Sequence, residues 1–329
     1  MKAVWYSDFG SAEDVLEVGE TATPNAGSGE VLVRVHASGV NPVDVKRRAG
    51  GRGTMEARRV IPHFDGAGTI EEVGEGVDAA RVGQRVWLYE AQWQRDAGTA
   101  AEFVALDEQR AVPLPDDVSF EDGACLGIAA LTAHRCVFGD GGVDGQTILV
   151  TGGAGAVGGY AIQFAALDGA RVITTVSGPE KARRATASGA DAVINYREES
   201  VGERILDLTD GKGVDRVVEV EFGGNLRDAL AATRIGGVVA TYASQADPEP
   251  QIPFYDLLYR NLTVRFELVF LMAHESKLAA ISDISGWLAE GRLRHHVAEV
   301  FPLQEAVKSH LAVEAGPLGK VVLSITPEG

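Results

Sequence analysis

The sequence predicts an α/β protein with two domains, the second of which contains a doubly wound parallel sheet. The chain has 329 residues, 45% of them hydrophobic, which is enough to bury two cores. The first third contains short β-branched runs separated by turns rich in Gly and Pro. From residue 147 onward, such runs alternate with helical patterns, as in a parallel sheet.

Composition and charge exclude several classes of function. The formal net charge of −17 disfavours binding to nucleic acid or to anionic lipid. No apolar run has the length of a membrane span, and the first ten residues lack the layout of a signal peptide. Cys125 and Cys136 lie in one apolar stretch, which predicts buried free thiols in a reducing compartment. We therefore expect a cytoplasmic protein.

The first predicted domain is mainly β. Its predicted strands span residues 1–6, 31–37, 68–73, 84–89 and 101–105. Pro113 and Pro115 then mark a boundary, and residues 119–138 form a long apolar helical stretch.

The second predicted domain begins with a strand, a glycine turn, a helix and a second strand. Residues 147–151 are an apolar β-branched run, and Gly153-Ala154-Gly155-Ala156-Val157-Gly158 matches G-x-G-x-x-G. A helical pattern follows, and residues 171–176 form the next strand. This βαβ context is the one that a dinucleotide-binding fingerprint requires, and the residues of the turn are the predicted pyrophosphate site. The alternative is a structural turn in another α/β fold.

The end of the second strand bears on the choice of cofactor. NAD-specific sites usually place Asp or Glu there, about twenty residues beyond the glycines, to bind the ribose 2′-hydroxyl. This chain has Ser177 instead, followed by Lys181, and both side chains can donate to a phosphate. The pattern favours NADPH, although Glu180 argues against it and Lys181 is also compatible with a solvated helix face.

The remaining runs predict the rest of the sheet. Residues 216–220 and 237–242 continue it, and residues 262–270 supply its last strand, a plausible dimer edge. Residues 320–323 form a final strand that returns to the first domain. Glu219 and Glu221 lie at the end of one of these strands; the sequence indicates no mechanistic role for them, and we expect a solvated or ion-paired edge.

The chain resembles the medium-chain dehydrogenases/reductases, specifically the zinc-free quinone oxidoreductase branch that includes zeta-crystallin. The resemblance covers essentially the whole length. It is carried by ASGVNPVD (37–44), GTAAEF (98–103), LTA (131–133), the βαβ stretch 147–176, VINYREE (193–199) and GKVVL (319–323).

This resemblance implies a GroES-like β domain of residues 1–122, completed by 271–329, and an NADPH-binding Rossmann domain of residues 123–270, with the active site in the cleft between them. It also implies a homodimer and a small-molecule quinone or enone substrate. By resemblance, Thr132 lies near the nicotinamide, and Ser177, Lys181 and Tyr196 surround the adenosine 2′-phosphate. Ser244 and Phe270 fall at strand ends where backbone groups meet the nicotinamide and ribose.

Zinc alcohol dehydrogenases are the alternative within the superfamily. A catalytic zinc needs three protein ligands. In this chain Asn41, Phe64 and Ile128 stand where those enzymes have ligands, and two cysteines cannot supply a structural four-cysteine site. His63 is then a cleft-lining or structural histidine, and we expect no metal.

Hydride transfer without metal suits a quinone or an α,β-unsaturated ketone, because the developing negative charge is delocalised. The protein must then orient the acceptor and donate a hydrogen bond to its oxygen. Asn41 is the leading donor and Lys46 a second candidate; Asn41 is alternatively a turn residue before Pro42. A different class of function is NADPH binding without useful turnover, as in relatives recruited as structural or RNA-binding proteins.

Overall fold

A computed structural model describes residues 1–51, 55 and 57–325 of the chain. These residues form two compact units. The first comprises Met1–Ile128 together with the chain from Ile281 onward, and the second comprises Ala129–Ala280. Among the helices described, none combines the length and the apolar character needed to cross a membrane.

The helices and strands of the first unit, up to the start of the second, follow in chain order: β1 (Lys2–Trp5), α1 (Ala12–Val15), β2 (Glu17–Glu20), β3 (Glu30–Val40), α2 (Pro42–Arg48), β4 (Asp65–Val73), β5 (Arg85–Leu88), β6 (Phe103–Asp107), β7 (Ala111–Pro113), α3 (Phe120–Gly123) and α4 (Gly127–Phe138), the last of which continues into the second unit.

The second unit continues with β8 (Thr147–Val150), α5 (Ala156–Leu167), β9 (Arg171–Val176), α6 (Pro179–Ala187), β10 (Ala192–Asn195), α7 (Val201–Leu208), β11 (Val214–Glu219), α8 (Phe222–Ala232), β12 (Thr233–Thr241), α9 (Phe254–Tyr259), β13 (Thr263–Phe266) and α10 (His274–Ala289). The chain then returns to the first unit with β14 (Val297–Pro302), α11 (Ala306–Glu314) and β15 (Lys320–Ser324).

The main sheet of the first unit has the order β14-β15-β3-β4-β5-β7, and β6 also pairs with β3. The final strand β15 is antiparallel to β3, with Val321 opposite Val40 and Ser324 opposite Ala37. The buried aliphatic side chains of these strands form one core. The pairing places β15 directly beside the segment that leads to Asn41.

The sheet of the second unit has the order β10-β9-β8-β11-β12-β13, and its strand pairs are parallel. Ile148, Leu149 and Val150 of β8 are fully buried, as the apolar run predicts for a strand covered on both faces. The strand order reverses between β8 and β11. In doubly wound sheets, ligands bind at the carboxyl ends of the strands at such a reversal.

Two predicted elements differ from the structure. The helical stretch at 119–138 is divided into α3 and α4. Gly127 begins α4, and a Cβ at that position would lie 2.0 Å from Oδ1 of Asp65 in β4. The predicted strand at 262–270 ends at Phe266, and Val269–Leu271 form a short 3₁₀ helix.

Candidate functional site

The glycine turn joins β8 to α5, and its glycines have different steric roles. A Cβ on Gly153 would lie 2.0 Å from Thr174 Oγ1 of β9, and a Cβ on Gly158 would lie 2.4 Å from the carbonyl oxygen of Gly152. Both positions therefore require glycine for close packing within the protein. At Gly155 the nearest such atom is 3.3 Å away. Gly155 is thus the least crowded of the three, and its role fits approach by a ligand.

The first turn of α5 follows Gly155 directly. The N–H groups of Ala156 and Val157 have no preceding helical carbonyl to bind, and both residues are partly exposed. Such groups at the positive end of a helix dipole can hold a phosphate. All predicted residues of the turn therefore lie at the carboxyl end of β8, where the strand order reverses.

The different roles of these glycines give a testable contrast. We expect Gly158→Ala to lower the free energy of unfolding by about 1–3 kcal/mol, because its Cβ meets backbone. We expect Gly155→Ala to change stability less, because the added Cβ meets only the Gly152 carbonyl oxygen at 3.3 Å, but to weaken NADPH binding by about tenfold at the predicted phosphate site. Denaturation curves and fluorescence titration with NADPH measure the two effects. Equal losses of stability in both variants would contradict the assignment.

Ser177, Lys181 and Tyr196 lie at the carboxyl ends of β9 and β10. Ser177 directly follows β9, and the backbone N–H of Tyr196 donates to the carbonyl of Val176 over 3.1 Å, which places Tyr196 beside the end of β9. Lys181 is in the first turns of α6. Within the described residues, no hydrogen bond or ion pair engages these three side chains, and Tyr196 is 51% exposed. Three potential phosphate donors are therefore uncommitted at one edge of the sheet.

Thr132, Ser244 and Phe270 occupy other positions in the second unit. Thr132 is buried in α4, and Phe270 is buried in the 3₁₀ helix after β13. The Ser244 hydroxyl accepts from the Gly223 N–H over 2.9 Å and donates to the carbonyl of Asp247. These two hydrogen bonds of the Ser244 hydroxyl fix the loop that follows β12. The predicted contacts of these three residues with the cofactor stay predictions.

The interpretation of Glu219 and Glu221 as a solvated or ion-paired edge is wrong for Glu219, whereas Glu221 is partly exposed. Glu219 is fully buried, and its Oε1 accepts from Thr151 Oγ1 (2.9 Å), Asn225 Nδ2 (2.9 Å) and the Glu221 N–H (2.7 Å). Burial raises the pKa of this carboxyl. Glu221 accepts from the backbone N–H groups of Gln245 (2.8 Å) and Ala246 (3.0 Å). The two carboxyls therefore fix the loops that follow β8, β11 and β12.

In the first unit, Asn41 lies at the centre of a buried polar network. It precedes α2 and is 3% exposed. Its Oδ1 accepts from Lys320 Nζ over 2.5 Å, and its Nδ2 donates to Asp65 Oδ2 over 2.9 Å. Lys320 Nζ also donates to Asp65 Oδ2 over 2.6 Å. Asn41 is therefore more than a turn residue, and it is held by two residues that the sequence did not indicate. Lys46, half-buried on α2, is not a partner of this amide.

Asp44 adds a second carboxyl to this network. Its Oδ2 accepts from the backbone N–H of Asn41 over 2.6 Å. Burial, together with the negative charge of Asp65, raises the pKa of Asp44 to about 7. The Asp44 side chain is thus partly protonated near neutral pH, while Lys320 balances the charge of Asp65.

His63 belongs to a directed chain of hydrogen bonds. Thr99 Oγ1 donates to the carbonyl of Asp65 (2.6 Å), so Ser38 Oγ must donate its own proton to Thr99 (2.7 Å). His63 Nδ1 then donates to Ser38 Oγ (2.9 Å), and His310 Nε2 donates to His63 Nε2 (3.0 Å). Both histidines are fully buried, so His63 is structural.

These buried groups predict the dependence of stability on pH. Burial lowers the pKa of His63 well below its ordinary value and that of His310 to about 3, the latter also because of Arg48. Below pH ~6.5 the unfolded chain therefore binds protons at both histidines that the folded chain does not, and stability falls. Asp44, with its pKa raised to about 7, acts in the opposite direction, because the folded protein holds a proton there that the unfolded chain releases.

We therefore expect Asp44→Asn to steepen the loss of stability between about pH 6.5 and 4 by about 1.4 kcal/mol per pH unit. The substitution keeps an acceptor for the Asn41 N–H and removes only the titration. Urea denaturation at several pH values measures the slopes. Parallel slopes for the variant and the natural protein would contradict the raised pKa of Asp44.

Comparisons with known proteins place the chain in a family. Residues 27–116 match the model of the alcohol dehydrogenase GroES-like domain, and residues 156–283 match that of the zinc-binding dehydrogenase. A quinone oxidoreductase of Pseudomonas aeruginosa is 31% identical, over 95% of this chain and 96% of its own. The chain belongs to the quinone oxidoreductase branch of the medium-chain dehydrogenase/reductase superfamily.

Solved structures resemble this quinone oxidoreductase homologue over nearly its whole length. A mycobacterial protein in complex with NADPH is 30% identical, with a TM-score of 0.88 over 99% of this chain and 100% of that one. A protein described as an NAD-dependent alcohol dehydrogenase is 32% identical, with a TM-score of 0.91 over 99% of this chain and 100% of its own. The predicted fold, a GroES-like domain with a Rossmann domain, is confirmed.

At the positions where zinc enzymes are expected to have ligands, this quinone oxidoreductase homologue has side chains that are apolar or bound to other groups. Asn41 is committed to Lys320 and Asp65, and Phe64 is a fully buried apolar side chain. Cys125, the thiol nearest to Ile128 in sequence, is buried and donates to the carbonyl of Glu121. Burial raises its pKa to about 12, which disfavours the thiolate that zinc requires. No group of three or more metal-binding side chains occurs within residues 1–51, 55 and 57–325.

Proposed function

We propose that this protein is an NADPH-dependent reductase that transfers hydride to a quinone or an α,β-unsaturated carbonyl without a metal ion. The observation that carries the proposal is the Asn41 amide. Its carbonyl and one N–H are held by buried ionic groups, and its second N–H has no acceptor among the described residues. An oriented, uncommitted donor is what a developing enolate or phenolate oxygen needs.

The second unit fits NADPH. The N–H groups at the start of α5 bind the pyrophosphate, and Gly155 leaves room for it. Ser177, Lys181 and Tyr196 supply donors for a 2′-phosphate, and the first residue after β9 is not an acid. When bound, NADPH supplies the hydride.

The chain's own residues perform the remaining tasks. The Asn41 N–H donates to the acceptor oxygen and stabilises its charge in the transition state, an effect of about 10²–10³ in kcat for comparable donors. Delocalisation over the quinone or enone removes the need for a Lewis acid, which oxidation of a simple alcohol requires. Solvent supplies the proton.

The test follows NADPH oxidation with a benzoquinone, a naphthoquinone, an enone and a simple aldehyde, each with and without a chelator. We expect turnover of quinone or enone that the chelator does not change. Aldehyde turnover abolished by the chelator would support zinc alcohol dehydrogenase activity instead. Tight NADPH binding without any turnover would support a binding protein.

We also propose that the protein is a cytoplasmic homodimer that pairs through β13. The strand is at the end of the sheet order, and its surroundings expose large apolar side chains, namely Tyr259 (80%), Phe266 (68%), Leu268 (50%) and Leu271 (71%). The free, buried thiols of Cys125 and Cys136 suit a reducing compartment. Sedimentation of the natural protein and of Phe266→Glu tests the dimer. We expect the natural protein to be a dimer and the variant to be a monomer. A monomeric natural protein would contradict the proposal.

A further inference from the structure

We propose that Lys320 is a positioning residue for the reaction: it sets the orientation of the Asn41 amide and strengthens its N–H as a donor, with Asp65 as the counter-ion. The inference rests on the proposed function, because it concerns the donor named there. Lys320 and Asn41 are 279 residues apart in the sequence but 2.5 Å apart between Nζ and Oδ1.

The orientation follows from the chemistry of the three side chains. An ammonium group only donates hydrogen bonds, so the Asn41 atom that contacts Lys320 must be the carbonyl oxygen. The amide nitrogen then faces Asp65, which accepts one of its two N–H groups. Without Lys320, only Asp65 opposes a half-turn of the amide, which would present an acceptor where the substrate oxygen needs a donor.

The charges of the network strengthen this donor. A cation on the carbonyl oxygen withdraws electron density from the amide and makes the remaining N–H a better donor. Asp65 balances the positive charge, and its Oδ1 is held by the N–H of Ile128 over 2.9 Å. Both members of the pair are almost fully buried, at 3% and 0% side-chain exposure, so solvent screens their effect little.

Two glycines leave room for the ion pair. A Cβ on Gly39 would lie 2.7 Å from Lys320 Cε and 2.2 Å from the carbonyl oxygen of Ala124. A Cβ on Gly127 would lie 2.0 Å from Asp65 Oδ1. Glycine at positions 39 and 127 therefore leaves the space that the Lys320 and Asp65 side chains occupy.

The test combines Lys320→Met with Asn41→Ala in a double-mutant cycle. We expect Lys320→Met to lower kcat by about 10–100-fold, which does not exceed the loss expected for Asn41→Ala. The Kd of NADPH, measured by fluorescence titration, should stay within about twofold. Because Lys320 acts through Asn41, Lys320→Met should cause no further loss in the Asn41→Ala background. Lys308→Met, on the exposed surface of α11, is the matched control and should leave kcat unchanged.

Removing Lys320 alone leaves Asp65 charged and buried, which can prevent folding. The variant Lys320→Met/Asp65→Asn removes both charges and keeps the shape of the pair, and the same loss of kcat is expected. Multiplicative losses in the cycle, or an unchanged kcat in both Lys320 variants, would overturn the inference. If Asn41→Ala is slow but the Lys320 variants are not, only this inference fails; if the natural protein reduces no quinone or enone, the proposed function fails.

Discussion

Replacing Asn41 with Ala is expected to lower kcat for quinone or enone reduction by about 10²-fold, equivalent to about 2.7 kcal/mol of transition-state stabilisation. The substitution removes the N–H that is uncommitted among the described residues and leaves the Lys320–Asp65 pair intact. The backbone N–H that Asp44 accepts is also retained. Because the amide acts on the developing charge of the acceptor, the Kd of NADPH should change by less than about twofold.

Steady-state kinetics and NADPH titration of the same preparation separate the two effects. Lys46→Ala provides the comparison on the same helix, since Lys46 is half-buried and does not contact the Asn41 amide. We expect it to lower kcat less than Asn41→Ala does. An unchanged kcat in Asn41→Ala would reduce Asn41 to a structural residue and return Lys46 to consideration as the donor.

Reversal of charge at Lys181 is expected to raise the KM for NADPH by about 10–100-fold and the KM for NADH by less than about threefold. A charge-assisted hydrogen bond contributes about 1.5–3 kcal/mol, and NADH lacks the phosphate that would accept it. The variant is Lys181→Glu, and its readout is the ratio of the two KM values with one quinone.

Arg183→Glu is the matched control. It changes the net charge of the protein by the same amount on the same helix, but residues two apart do not share a helix face. We expect it to leave the ratio nearly unchanged. Equal effects of Lys181→Glu on both cofactors would remove the phosphate site from this edge of the sheet.

Local patterns predicted the second unit well. The G-x-G-x-x-G turn between two apolar runs was sufficient for β8, α5 and β9, because both the glycine spacing and the strand composition are properties of neighbouring residues. The same patterns did not predict the division of residues 119–138 into two helices, although Gly123 and Gly127 lie within that stretch. What Gly127 accommodates is the side chain of Asp65, 62 residues earlier, which no local pattern reveals.

The same limit applies to the candidate site. Asn41 was predicted from its motif, but its partners Lys320 and Asp65 come from β15 and β4, and only the sheet pairing brings them together. Glu219 was misinterpreted for the opposite reason. An acidic residue at the end of a strand is usually solvated, and here the hydrogen bonds from Thr151 and Asn225 allow its complete burial.

The pairing of β15 with β3 also affects the order in which parts of the protein can fold during synthesis. During synthesis the glycine turn and its surrounding strands leave the ribosome long before Lys320 does. The Asn41 amide, in contrast, gains its ammonium partner only after Lys320, 279 residues later, has been made. We therefore expect the strands around the glycine turn to be able to fold before the Asn41 amide is fixed by its ion pair.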